Sequence, residues 1–96
     1  MPPLNTPIPA TPDRLREQLI ELYGPLEGER SAAVLIPAIF RDFDKELDKV
    51  ERGVSVRETY RTEDGVAQLD LTGYRDDEGR AVLFGSFVRR SDREEA

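Results

Sequence analysis

Carboxylates are the side chains through which this sequence could most readily do chemistry. The chain contains twenty Asp and Glu residues but no His and no Cys. The lack of His removes the commonest general base, and the lack of both residue types excludes a zinc site with nitrogen and sulfur ligands. The glycines are scattered along the chain and form no phosphate-binding loop. We therefore expect no cofactor, no metal and no enzymatic activity.

The densest acidic cluster is a run of alternating carboxylates in the second predicted helix. The alternation resembles the start of an EF-hand calcium loop, but Leu47 stands where that loop requires Gly, and the bidentate Glu is missing. The cluster is therefore interpreted as a solvated acidic helix surface, which could repel nucleic acid or imitate it toward a basic protein. The residues of this acidic helix surface are Asp42, Asp44, Glu46 and Asp48.

Glu58 interrupts the apolar face of the first predicted strand. The predicted register places it on the buried side of the sheet, opposite Leu71 and between Val56 and Tyr60. A buried carboxylate must be paired, protonated or close to an edge. Two interpretations stay open: Glu58 turns outward on an edge strand, or it lies in a small cavity and could serve a carboxylate-dependent enzyme.

The overall charge limits the classes of partner. Fourteen basic and twenty acidic residues give a net charge of −6, which disfavours a nucleic-acid-binding protein. The longest apolar run, residues 32–36, is far shorter than the roughly 20 residues that span a bilayer. The first residues lack the basic and apolar regions of a secretory signal. We expect a cytoplasmic protein with no membrane association.

The chain divides into one domain and two short ends. Its 96 residues suit a single hydrophobic core. Residues 1–11 contain four prolines and no periodic apolar pattern, which predicts a flexible extended arm. Residues 12–90 form the predicted α+β domain, and residues 91–96 a charged tail.

The first predicted helix begins after Thr11, a favourable N-cap, with Pro12 at its first position. Gly24 and Pro25 end it, because Gly accepts a left-handed cap and Pro interrupts the hydrogen-bond ladder. Leucines at three- and four-residue steps form its apolar stripe. They are Leu15, Leu19, Leu22 and Leu26.

The second predicted helix has two alternative starting points. Pro37 could be its first residue, which would leave residues 32–36 as a short strand or turn. Alternatively, Pro37 could kink one longer helix that begins near Ser31. We prefer the longer helix, since a lone strand would need a partner, and we expect it to end at Gly53. Its apolar face comprises Ile39, Phe40, Phe43, Leu47 and Val50.

Two turns predict a three-stranded antiparallel meander. A two-residue type I′ turn at Asp64-Gly65 would pair Tyr60 with Leu69 and Glu58 with Leu71. A second turn over residues 76–79, centred on Glu78 and Gly79, would pair Gly73 with Phe84 and Leu69 with Val88. These registers predict one buried face, on which both helices pack in two layers. That face comprises Val54, Val56, Tyr60, Ala67, Leu69, Leu71, Val82, Phe84 and Val88, with Leu71 and Phe84 at its centre.

The opposite face of the predicted sheet is the candidate binding surface. Aromatic and arginine side chains are typical of interface hot spots, and a contiguous apolar patch on a surface indicates contact with another molecule. The candidate residues are Arg57, Arg61, Tyr74, Leu83, Phe87 and Arg89.

Three kinds of partner remain open for this face. The face, or the edge strand, could join copies of the chain in a homo-oligomer, and it could also bind a different protein. Single-stranded nucleic acid stacked on Tyr74 and Phe87 is the third alternative, which the net charge disfavours. We predict a protein-binding module, an adaptor or inhibitor such as an accessory protein of a phage or mobile element that blocks bacterial defence.

Overall fold

The computed structural model describes residues 8–90 as two helices followed by an antiparallel sheet, which confirms the predicted α+β layout. The sheet has the strand order β1-β2-β3, and a short fourth strand, β4, also pairs with β2. Among residues 8–90, no helix is long and apolar enough to cross a membrane. The elements are α1 (Pro12–Tyr23), α2 (Pro25–Leu47), β1 (Val56–Arg61), β2 (Ala67–Arg75), β3 (Ala81–Phe84) and β4 (Phe87–Arg89).

Helix α1 begins and ends where the sequence predicts. The Thr11 hydroxyl accepts a hydrogen bond from the Arg14 N–H at 3.2 Å, and Pro12 occupies the first helical position. The Gly24 N–H caps the other end by donating to the Ile20 carbonyl at 2.7 Å.

Helix α2 is one long helix with Pro37 in its interior, so the longer alternative is correct. It starts at Pro25, six residues before Ser31, because Pro is also favourable at the first position of a helix. Leu26 therefore belongs to α2 and is 66% exposed, instead of extending the apolar stripe of α1. The helix ends at Leu47, before the predicted end at Gly53.

The two helices approach each other closely at Gly28. A Cβ at this position would lie 2.4 Å from the Cα of Ile20, closer than atoms of neighbouring helices can come. Gly28 is buried in the contact between the helices. A residue with no side chain is therefore required here for α1 and α2 to pack as they do.

The first hairpin has the predicted register but a different turn. Glu58 pairs with Leu71 and Tyr60 with Leu69, as predicted. The Gly65 N–H donates to the Thr62 carbonyl at 2.9 Å, and among residues 8–90 only glycines have positive φ, so φ of Asp64 is negative. A type I′ turn needs positive φ at both central residues, so Asp64-Gly65 is not one.

The second hairpin has a register one residue away from the predicted one. Gly73 pairs with Leu83, and the Asp76 N–H donates to the Arg80 carbonyl at 2.8 Å. The loop therefore has three residues and ends on Gly79, whose φ is +83°. A three-residue loop with Gly in the left-handed region is a common hairpin connection. Because side chains alternate between the faces, this shift exchanges the faces of every residue in β3 and β4.

Because of this shift in register, the buried core differs from the predicted one. Leu71 is fully buried, as predicted, whereas Phe84 is only half-buried and lies on the other face of the sheet. Val82 is on the same side as Phe84, and Val88 is 54% exposed. The buried core comprises Ala10, Leu15, Leu19, Ala32, Ile36, Ile39, Phe43, Leu47, Ala67, Leu69, Leu71 and Phe87.

Residues at the end of the predicted arm are part of the sheet. Pro9 forms a β-bridge with Phe84, and the Ala10 N–H donates to the Leu83 carbonyl at 3.0 Å. Ala10 is buried in the core. Residues 8–10 of the predicted arm are therefore bonded to β3 and the residue after it, while residues 1–7 and the predicted tail lie outside the described residues.

Candidate binding surface on the outer face of the sheet

The structure keeps three of the six candidate sheet residues on the face turned away from the helices, which we call the outer face. Arg57, Arg61 and Tyr74 occupy outward positions of β1 and β2. Tyr74 pairs with Val82 of β3. These residues remain candidates for binding.

The other three candidates lie on the helix side, because the register of the second hairpin differs from the predicted one. Phe87 pairs with the buried Leu69 and is only 7% exposed, and Leu83 packs against the core. Arg89 pairs with the buried Ala67, and its guanidinium lies 3.4 Å from the Leu22 carbonyl of α1. The prediction that Leu83, Phe87 and Arg89 lie on the outer face is therefore wrong.

An apolar patch on the outer face consists of Tyr74, Val82 and Phe84. Tyr74 lies opposite Val82, and Thr72, two residues earlier in β2, lies opposite Phe84. Side chains in such neighbouring cross-strand pairs touch one another. All four are half-buried, although both helices pack on the opposite face. The patch is thus an apolar surface that neither helix covers.

Arg57 of β1 borders this patch, and Arg61 lies farther along the same face, opposite Gln68. Arg57 lies opposite Thr72, is exposed, and makes no hydrogen bond or ion pair within residues 8–90. Arg61 donates from Nε to Oε1 of Gln68 at 3.1 Å, and within residues 8–90 it makes no ion pair. Arginine and tyrosine side chains are enriched among the residues that dominate protein interfaces.

Within residues 8–90, Asp70 is the only carboxylate at an outward position of the strands. It accepts a hydrogen bond from the Thr59 hydroxyl at 2.7 Å and a longer one from the Gln68 amide at 3.4 Å. With Arg57 and Arg61 on the same side, the outward strand positions carry a net positive charge. This local charge is opposite in sign to the net charge of −6 of the chain.

The acidic helix surface is largely engaged with the rest of the protein. One Nη of Arg75 contacts Oδ1 of Asp44 at 2.6 Å and Oδ1 of Asp48 at 2.8 Å. These hydrogen bonds raise the pKa of the Arg75 guanidinium above its usual value. They fasten the C-terminal part of α2 to the end of β2.

The remaining two acidic candidates also have partners within the chain. Asp42 accepts a hydrogen bond from the Tyr60 hydroxyl at 2.7 Å, and Glu46 pairs with Lys49 at 3.2 Å. Burial raises the pKa of the Tyr60 hydroxyl, and the bond to Asp42 and the nearby carboxylates raise it further. Asp42, Asp44 and Asp48 thus connect the C-terminal part of α2 to the sheet, whereas the pair of Glu46 and Lys49 is local.

Glu58 lies half-buried on β1, which is an edge strand of the sheet within residues 8–90. It faces the same side as Val56 and Tyr60, as the predicted register requires. Among the described residues, no group of three or more Asp and Glu side chains is arranged to hold a metal ion. Glu58 therefore occupies an edge position of the sheet.

An open cleft of about 700 Å³ lies between α2 and the turn that connects β1 and β2. At its floor the Tyr23 hydroxyl lies 2.9 Å from both Thr62 Oγ1 and Asp64 Oδ1. The Val66 N–H and the Thr62 hydroxyl lower the pKa of Asp64, while burial raises that of Tyr23. The rim carries both signs of charge, from Glu27, Arg30, Arg61, Glu63 and Asp64. The network holds the turn against α1.

No family model, curated protein or solved structure matches this chain. The functional inference therefore depends on the surface chemistry. Val82, Phe84 and Val88 are the outer-face residues that sequence reasoning missed. The order Asp76-Asp77-Glu78-Gly79 could have identified them, because Asp at the first and Gly at the fourth position indicate a type I turn and a three-residue loop.

Proposed function

We propose that this protein is a non-enzymatic binding module that docks on another protein through the outer face of its sheet. The observation that carries this proposal is the apolar patch, Tyr74, Val82 and Phe84, next to the exposed Arg57 and on a face that neither helix covers. A positive face on an acidic protein favours a partner with carboxylates around an apolar contact. Such a module would act as an adaptor or inhibitor.

The acidic helix surface is the weaker of the two predicted docking sites. Asp44 and Asp48 share Arg75, and Asp42 is bonded to Tyr60, so a basic partner would compete with these contacts. On the outer face, Arg57 has no such contact within residues 8–90. Binding there costs less rearrangement.

Charge reversal distinguishes the two surfaces. We would immobilise the wild type, the double variant Arg57→Glu/Arg61→Glu and a control, Arg14→Glu/Arg41→Glu, and identify the proteins that each retains. The control makes the same change of charge on exposed helix positions whose side chains have no partner within residues 8–90. We expect a partner that the wild type and the control bind and the outer-face variant does not. A purified partner that binds all three proteins equally would refute docking through this face.

Single-stranded nucleic acid is a second candidate, because Tyr74 and Phe84 lie on neighbouring strands of the same face. Two such rings can stack on bases while Arg57 contacts a phosphate. Its affinity would fall steeply with salt, since phosphate contacts release counterions. A single-stranded oligonucleotide whose weak binding shows no salt dependence would dismiss this candidate.

Self-association through the same face has a direct test. Light scattering would give the mass of the wild type and of Phe84→Asp in solution. A wild-type dimer that the substitution separates would make the outer face a contact between copies. A monomer in both cases would leave the face available to a different protein.

A further inference from the structure

Within residues 8–90, the outer edge of β1 has unpaired backbone groups. The Thr62 N–H donates to the Ala67 carbonyl at 3.0 Å, and in an antiparallel pair such bonds recur at every second residue. Arg57, Thr59 and Arg61 occupy the intervening positions, so their N–H and C=O groups point away from β2. Within residues 8–90, no strand pairs with this edge.

The same three residues place their side chains on the outer face. Arg57, Thr59 and Arg61 are exposed, whereas Val56, Glu58 and Tyr60 are half-buried toward the helices. An added strand would therefore meet two guanidinium groups on its outward side. On the inward side it would meet the carboxylate of Glu58.

These charges disfavour a second copy of β1 as the added strand. Antiparallel registers centred on Glu58 or on Thr59 pair the most residues of two copies. The first places Glu58 opposite Glu58, and the second places Arg57 opposite Arg61. Like charges directly opposite each other destabilise a strand pair. Charged edge strands of this kind resist pairing with themselves.

We propose that an extended acidic segment of the partner adds to β1 as a further strand of the sheet. This inference rests on the proposed function and specifies its partner. Backbone hydrogen bonds to Arg57, Thr59 and Arg61 would hold the segment, and alternate carboxylates would face the two arginines. Residues between those carboxylates are not acidic, because they lie beside Glu58. The rest of the partner covers the apolar patch of Tyr74, Val82 and Phe84.

The probe for this proposal is a synthetic peptide of alternating Glu and Val, with a Lys and Val peptide of the same length as its control. We expect the acidic peptide to slow hydrogen exchange at the amides of Arg57, Thr59 and Arg61, measured by NMR, because strand addition protects them. The basic peptide should leave these amides unprotected. A version of the acidic peptide with N-methyl groups on the amides that face β1 should bind about tenfold more weakly, since it lacks those donors.

A pair of variants at Thr59 isolates the backbone contribution. Thr59→Pro removes an N–H that points away from β2, while Thr59→Val keeps it, and both lose the hydroxyl bond to Asp70. We expect Thr59→Pro to bind the acidic peptide about tenfold more weakly than Thr59→Val. Thermal unfolding of both variants checks that a difference in peptide affinity does not come from a difference in folding.

Three results would overturn strand addition. They are equal binding of the acidic and basic peptides, no binding of the acidic peptide at millimolar concentration, and equal binding of the N-methylated peptide. If the acidic peptide instead shifts the resonances of Tyr74, Val82 and Phe84 without protecting the amides of β1, the segment lies on the face and the proposed function survives. The proposed function itself fails only when a purified partner binds the variant Arg57→Glu/Arg61→Glu as tightly as it binds the wild type.

Discussion

The two faces of the sheet are formed by the same strands, yet they differ in how completely their side chains are enclosed. On the helix side, Leu69 and Leu71 are fully buried, and a Cβ on Gly73 would lie 2.4 Å from the Leu83 side chain. On the outer face, Arg57 is exposed and Phe84 is half-buried. The difference shows that neighbouring residues in one strand have separate surroundings, the packed core on one side and, on the other, the surface that we propose for recognition.

The largest expected effect concerns the enclosed face. Phe43 of α2 is fully buried against the sheet, so Phe43→Ala removes its contacts and leaves a cavity. We expect a loss of about 3–5 kcal/mol in the free energy of unfolding, measured by chemical denaturation. Val88→Ala, at a position that is 54% exposed, should change it by less than about 0.5 kcal/mol. Similar losses for both variants would break the contrast between the faces.

A smaller loss is expected where the helices that cover the sheet meet. Gly28→Ala would place a Cβ against the backbone at Ile20, so α1 and α2 must move apart. Overpacking of this kind costs about 1–3 kcal/mol. Gly53→Ala is a useful comparison, because its Cβ would meet nothing and its cost comes from positive φ alone. A stabilised Gly28→Ala, as expected for an ordinary exposed helix position, would contradict the close contact.

The hydroxyl network at the end of the first hairpin should contribute less. Tyr23→Phe removes the contacts to Thr62 and Asp64 while it keeps the ring. We expect a loss of about 0.5–1.5 kcal/mol, the usual net value of one hydrogen bond. Urea denaturation of Tyr23→Phe beside wild type measures it. An unchanged midpoint would show that these hydrogen bonds contribute nothing to the free energy of unfolding.

The smallest effect is a dependence on pH. Bonds from the Val66 N–H and the Thr62 hydroxyl hold the pKa of Asp64 below its usual value of 3.8. Its contribution to stability is therefore complete above that pH and is lost as the pH falls through the lowered pKa. We expect wild type to exceed Asp64→Asn in unfolding free energy at neutral pH, with the difference shrinking below pH 3.8. A difference that grows on acidification would contradict this sign.

The sequence predicts the register of the first hairpin correctly, because its apolar pattern is compatible with only one buried face. Alternation in β1 and β2 leaves only Ala67, Leu69 and Leu71 for the core, so the register is right although the turn type at Asp64 is wrong. The segment of β3 and β4 has apolar residues at both alternations. The choice between them therefore depends on the length of one loop, which we predicted one residue too short.

The placement of the candidate site residues depends on the same two hairpin registers. Arg57 and Arg61 lie on β1, whose register follows from the first hairpin, so their placement was predictable. Phe84 and Phe87 lie on the faces opposite to those predicted, because the register of the second hairpin determines the face of each. The start of α2 at Pro25 was missed for a similar reason, since Pro can end one helix and begin the next.

The most direct test of the two-faced sheet is the unfolding free energy of Phe84→Asp and Phe87→Asp, measured side by side. Phe87 is enclosed in the core, so a carboxylate there should prevent cooperative folding. Phe84 faces outward, so Phe84→Asp should fold and unfold cooperatively with a modest loss of stability. A folded Phe87→Asp beside an unfolded Phe84→Asp would reverse the two faces and contradict the account.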